Sequence, residues 1–195
     1  MPHDRVEQVL GAHPGMAIET LGAGAPEAVT LEAVLANREQ RTLRQRRVLA
    51  AHGLPVVSVT LVMPGPVKAT DQARLLLEAA LEALRTLLAS RGWALVHRET
   101  LQAPTGPEAL LAVAAPARDL KAAAVRLEEE HPLGRLWDLD VLDPETGPLS
   151  RRALGLGPRP CLLCGEDAHA CARSRAHPLQ ALLDVIQEKL HAYPL

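Results

Sequence analysis

Between Pro55 and Asp143 the chain alternates short β-branched runs with longer helical ones, and their order limits the folds open to it. Pro55 to Met63 is β-branched and too short for a buried helix, so it reads as a strand. Thr70 to Arg91 is the strongest helix, with Leu75, Leu76, Ala79, Leu81, Leu84, Leu87 and Leu88 at helical spacing and Gly92 as its stop. Trp93 to about Leu101 and Ala109 to Ala115 read as strands separated by a turn at Pro104–Pro107. Ala117 to Glu130 is a second helix, and Arg135 to Asp143 a fourth strand. The order β-α-β-β-α-β predicts an α+β protein with a ferredoxin-like split βαβ core. A weak internal echo links Pro64–Lys68, which leads from the first strand into a helix, with Pro116–Lys121 after the third. A pseudo-duplicated fold would put these two loops near one another at one end of the sheet.

Three regions follow. Residues 1–28, rich in Gly, Ala and Pro, read as a loose entry segment. Residues 29–153 form the α+β domain, which begins with an N-terminal helix from Thr30 to about Ala51. Thr30 is its expected N-cap, Leu31, Val34, Leu35, Leu43, Val48 and Leu49 its apolar stripe, and Arg38, Arg41, Arg44, Arg46 and Arg47 its outer positions. Residues 154–195 hold a Gly/Pro-rich linker, a cysteine knuckle and a last helix from about Pro178 to His191, packed on the same domain.

Composition narrows the function. A net charge of -2 argues against a general nucleic-acid binder. With no Phe, one Tyr and two Trp, the chain also lacks the rings an RNA-binding sheet stacks bases on. No run of about 18 apolar residues is present, so no membrane span is expected. The N-terminus, Met-Pro-His-Asp-Arg-Val-Glu, is acidic and polar where a signal peptide starts basic and turns apolar, so a cytoplasmic protein is expected. Three clustered cysteines in a reducing compartment point to metal more than to disulfides.

Those cysteines are Cys161, Cys164 and Cys171, followed by His177. Two cysteines separated by two residues form a tight loop with both sulfurs inward, and a third thiolate and an imidazole complete a tetrahedron around Zn2+. With all four positions filled by protein the role is structural. His169 is an alternative fourth ligand, an iron–sulfur cluster an alternative occupant, and three reduced cysteines without metal the plain alternative.

Asp138 and Asp140, two residues apart on a strand, share one face away from Leu139 and Val141. Such a pair can hold Mg2+ across a polyphosphate, or be an ordinary solvated strand face. Lys68, Arg118 and Lys121 lie where strands lead into helices, as phosphate ligands or as solvated helix starts. The arginine face carrying Arg38 and Arg41 suits an acidic partner or plain solvent. His131, after Glu128–Glu130, reads as a general base or as a helix C-cap.

Several motifs together resemble the citrate lyase holo-[acyl-carrier-protein] synthase family, the apo-citrate lyase phosphoribosyl-dephospho-CoA transferases. They are Asn37–Arg41, Pro64–Lys68, Ala115–Lys121, His131-Pro-Leu-Gly-Arg135-Leu-Trp137-Asp138-Leu-Asp140-Val, Leu149–Arg152, Arg159-Pro-Cys161-Leu-Leu-Cys164, Cys171-Ala-Arg173 and His177. Residues 1–28 take no part. The resemblance implies transfer of the 2'-(5''-phosphoribosyl)-3'-dephospho-CoA group from its triphosphate precursor, triphosphoribosyl-dephospho-CoA, to a serine of the acyl-carrier subunit of citrate lyase, with release of pyrophosphate. It is a nucleotidyltransferase-type displacement. On that footing Asp138 and Asp140 are expected to hold Mg2+, while Lys68, Arg118, Lys121 and Arg135 neutralise the phosphates. The arginine face of the first helix then steers the acidic carrier. Without the resemblance, a ferredoxin-like RNA-binding module with a zinc knuckle and a zinc-binding adaptor would be the competing readings, and in the adaptor both aspartates would be dispensable.

Overall fold

The computed structural model describes residues 27–193. Helix α1 (Leu31–His52) is followed by β1 (Val56–Leu61), α2 (Asp71–Arg91), β2 (Ala94–Ala103), β3 (Gly106–Ala114), α3 (Ala117–Glu130), β4 (Trp137–Asp143), β5 (Gly147–Leu149), α4 (Ala168–Ser174) and α5 (Leu179–Ala192). The expected entry segment 1–28 lies almost wholly outside the described residues.

The strands form one antiparallel sheet in the order β2-β3-β1-β4-β5. Its first four positions are consistent with a ferredoxin-like split βαβ core. β5, a three-residue addition beyond β4, was not expected from the sequence. α2 and α3 cover one face, where Leu76, Leu84 and Leu120 pack on Val57, Val59, Leu111, Leu139 and Trp137. Ile186 and Leu190 of α5 join the same core. Thr30 caps α1 as expected, and Thr70, read as the first residue of α2, caps that helix instead, each side-chain oxygen accepting a backbone N–H three residues on.

Three expectations are corrected. The β2–β3 turn is tighter than read: Ala103 pairs with Gly106, and Pro107 lies inside β3 opposite Gln102. Proline is tolerated there because β1 joins β3 only from Ala109 onward. The loops 64–68 and 116–121 lie at opposite ends of the sheet, since β1 and β3 are antiparallel neighbours and their C-termini point opposite ways.

The third correction concerns α1, which lies on the other sheet face. Of its apolar stripe only Val48 is buried, while Leu31, Leu35 and Leu43 are exposed. Arg41 and Arg44 turn toward the sheet, while Arg38, Arg46 and Arg47 stay exposed. Arg41 and Arg44 both donate to Glu108 of β3, Arg47 donates to Glu99 of β2, and Gln45 donates to Ser58 of β1 at 2.9 Å. That sheet face is mixed: Val56, Leu110 and Ala112 receive Val48 and Leu49 at the C-terminal end of α1, while Ser58, Glu99 and Glu108 receive its polar side chains. Of the arginine face expected to receive an acidic carrier, Arg41 and Arg44 are held by the protein's own Glu108, while Arg38 and Arg47 remain exposed.

Candidate functional site

β4 alternates buried Trp137, Leu139 and Val141 with exposed Asp138 and Asp140, so both acids stand on the α1 side of the sheet. The strand's inner margin pairs with β1. Its outer margin is met by β5 only from Val141 onward, leaving the backbone of Trp137 and Leu139 without a strand partner. Two buried side chains and the partly buried Arg159 take that place. Glu128 accepts the Leu139 N–H at 2.7 Å, Lys121 donates to the Leu139 carbonyl at 2.9 Å, and Arg159 donates to the Trp137 carbonyl. Lys121 and Glu128 lie seven residues apart on α3, two turns along one face, and are only 4% and 3% exposed.

This edge concentrates charge around the acid pair. Arg159 lies 3.6 Å from Asp138, Lys121 3.8 Å from Asp140, and Arg151 3.6 Å from Glu128. Local desolvation, then the charge of Asp138, raises the Asp140 carboxyl above its ordinary value. Burial does the same to Glu128, against the opposing pull of Arg159. Asp138, Asp140, Arg151, Arg152, Arg159 and His169 line a pocket of about 430 Å³ here.

Arg159 also walls a second, larger cleft of about 950 Å³, in which it is joined by Arg38, Arg135 and Arg175 above an apolar floor that includes Met63 and Leu162. Burial, then the neighbouring Arg159, lowers the Arg135 guanidinium, against the opposing pull of Glu128. Lys68 does not line the cleft but donates to the carbonyl of Met63, which does, and its ammonium is lowered by burial and by Arg38. Of the expected phosphate ligands, Arg135 thus reaches the large cleft and Lys121 the acid pocket, and Arg38, expected on the carrier-facing side of α1, joins Arg135 in the cleft. Arg118 instead donates to the Ala153 carbonyl at 2.9 Å, and Arg41 is bound to Glu108.

His131 stands apart from the acids. Its ring packs against Trp137 (centroids 4.4 Å apart), whose side chain points to the opposite face of β4 from Asp138. Nδ1 accepts the Leu133 N–H at 3.1 Å, and Nε2 lies 3.4 Å from the Tyr193 hydroxyl. Burial lowers its pKa.

The Cys161, Cys164, Cys171 and His177 ligand atoms lie within 4.8 Å of one another. The Cys164 and Cys171 sulfurs are 3.6 Å apart, far from disulfide length and close to the ~3.8 Å between two thiolates on one tetrahedral zinc. Gly165 adopts φ 78°, closing the loop after the second cysteine where a side chain would be strained. Partial burial pulls the Cys161 thiol up, but the Leu163 and Cys164 N–H groups and the neighbouring thiols outweigh it and bring it to about 6. His177 Nε2 is buried with no protein partner. This donor set fits zinc. His169 lies outside it, on the side of the acid pocket.

Sequence reading missed Glu128, Arg151, Arg159 and Arg175 as site residues. Arg159 read only as part of a motif before the first cysteine. Its signal was a lone arginine closing a Gly/Pro-rich linker.

Among the described residues, no helix is long and apolar enough to cross a membrane. The family model for apo-citrate lyase phosphoribosyl-dephospho-CoA transferase matches residues 29–193. A protein of that name from Escherichia coli O7:K1 is 46% identical over 164 residues, covering 84% of this chain and 90% of its own length. One from Shigella boydii serotype 18 matches with the same identity and coverage. With 165 of the 195 residues inside the family match, the chain belongs to the apo-citrate lyase phosphoribosyl-dephospho-CoA transferase family.

Proposed function

We propose that this protein transfers the 2'-(5''-phosphoribosyl)-3'-dephospho-CoA group from its triphosphate precursor to a serine of the citrate lyase acyl-carrier subunit, in the cytoplasm. The observation that carries the reading is the shared wall at Arg159, with an arginine-lined cleft on one side and a pocket holding two aspartates on the other. A polyanion with an apolar-faced base suits the first. A serine hydroxyl on a carrier loop suits the second.

Arg38, Arg135 and Arg175 neutralise the phosphate oxygens, and the apolar floor takes the uncharged part of the precursor. The serine Oγ attacks the α-phosphorus and the Oγ–P bond forms. The P–O bond to pyrophosphate breaks, its electron pair leaves with the pyrophosphate, and the hydroxyl proton passes to water in the open pocket. Arg159, between the two cavities, meets the charge that builds on the leaving oxygens. Asp138 and Asp140 are hard oxygen donors of the kind Mg2+ takes, and a bound ion would displace their contacts with Arg159 and Lys121 and neutralise phosphate charge. His131, on the far face of β4, serves the fold.

The test weighs the apo carrier subunit by intact mass spectrometry after incubation with the protein, the triphosphate precursor and Mg2+. One adduct on one serine, lost in Asp138→Asn while circular dichroism is unchanged, is the expected result. A carrier that stays unmodified with folded, zinc-replete protein would replace this reading with a zinc-binding adaptor.

A further inference from the structure

Arg159 and the cysteine knuckle form one structural unit. The Arg159 carbonyl accepts the Ala168 N–H at 2.9 Å from the first residue of α4. Pro160 bridges Asp167, and its carbonyl accepts from Arg135. Cys161, the first sulfur of the knuckle, follows directly, and Cys161, Cys171 and His177 themselves line the arginine cleft. Little apolar packing holds this stretch, since no residue from 151 to 178 is buried. A segment so poor in buried contacts keeps its shape through its own hydrogen bonds and through what its ligand set binds.

The guanidinium at the head of this unit is held with unusual care. Its Nη2 lies 3.3 Å from the carbonyls of both Gly134 and Arg135 and donates to that of Trp137, its Nη1 faces Asp138, and its Nε is buried without a partner. Three of its contacts are carbonyls of one short turn, Gly134 to Trp137, so a small shift of residues 159–161 breaks them together.

We infer that a metal ion in the knuckle positions Arg159 for polyphosphate binding in the cleft, so that metal loading and polyphosphate affinity rise together. The inference rests on the proposed reading of the cleft. By thermodynamic reciprocity, polyphosphate then also tightens the metal. The sign separates this coupling from simple electrostatics. Three thiolates and one divalent ion leave a net negative charge, so charge alone gives a loaded knuckle no advantage in drawing an anion. Positional coupling predicts tighter binding when loaded.

The experiment is calorimetric titration of inorganic pyrophosphate into the full chain in three forms: zinc-loaded, stripped with a chelator and desalted, and zinc-loaded Arg159→Ala. Native mass spectrometry after each titration checks the zinc. Stripping is expected to weaken pyrophosphate about tenfold or more, with far-UV circular dichroism retained. Arg159→Ala is expected to keep one zinc yet lose affinity to a similar extent, and stripping that variant is expected to cost little more. If stripped protein unfolds, loaded protein decides through the reciprocal effect: pyrophosphate is expected to raise the chelator concentration that removes zinc from the parent but not from Arg159→Ala, and no rise in the parent overturns the coupling. Equal or tighter binding after stripping of folded protein, additive losses, unchanged affinity in Arg159→Ala, or no pyrophosphate binding by any form would overturn the coupling. Carrier modification weighed on the same preparations is scored separately. An adduct there keeps the transferase reading even if the coupling fails, and coupling without an adduct removes only the transferase.

Discussion

The Glu128 carboxylate accepts the backbone N–H of Leu139 at 2.7 Å, tying α3 to the stretch of β4 that β5 does not reach. Burial raises this carboxyl above its ordinary value of 4.5, so between that value and its folded pKa the native state holds more protons than the unfolded one. Stability therefore falls as pH rises through that window. Glu128→Gln keeps an acceptor for the Leu139 N–H and is expected to flatten this slope. Glu128→Ala leaves the N–H buried and unpaired and is expected to cost about 1–3 kcal/mol. Urea unfolding across the acidic range reads both.

His131 gives the opposite sign. Burial lowers its pKa below 6.5, so the unfolded state takes up the proton first and stability is lost as pH falls from 6.5 toward the folded value. His131→Leu is expected to remove that loss. It should also lower overall stability at neutral pH by about 1 kcal/mol through the missing Leu133 contact, while carrier modification continues. A variant that is folded yet inactive would return His131 to the chemistry.

Gly134→Ala tests the tight turn after α3. A Cβ there would fall 2.6 Å from the Glu128 carbonyl oxygen and closer still to that of Leu127, both backbone atoms that cannot swing away. A loss of about 1–3 kcal/mol is expected, read as a lower thermal midpoint. Unchanged stability would mean that the turn shifts freely.

Glu108→Ala tests the inward arginines. Glu108 is 4% exposed and holds both Arg41 and Arg44. Its removal is expected to cost about 1.5–3 kcal/mol and to raise hydrogen exchange along α1. Arg41→Ala is expected to change stability while leaving the rate of carrier association in place. A slower association would restore α1 as the docking face.

The helices of the core were legible because their signals are local. Thr30 caps, Gly92 stops, and Ala117–Glu130 has the predicted bounds. The alternation around Leu139 likewise put both aspartates on one face. Relations between elements were not legible. The echo between the two loops carries no strand direction, so it could not show that β1 and β3 run oppositely. The α1 leucines suggested an apolar contact, and only the folded sheet, presenting Ser58 and Glu108, shows why Arg41 and Gln45 face it instead. β5 and α4 were missed because three residues of Gly-Pro-Leu and seven beside the cysteines are too short for periodicity. Arg159 escaped because its importance comes from carbonyls more than twenty residues earlier in the chain.

The charged fringe along β4 has one more effect. An unpaired strand margin is a template on which a second chain can add, the first step toward sheet-to-sheet aggregation. Lys121, Glu128 and Arg159 occupy the free backbone groups of Trp137 and Leu139 from within, so at this margin the sheet offers an incoming strand nothing to grip.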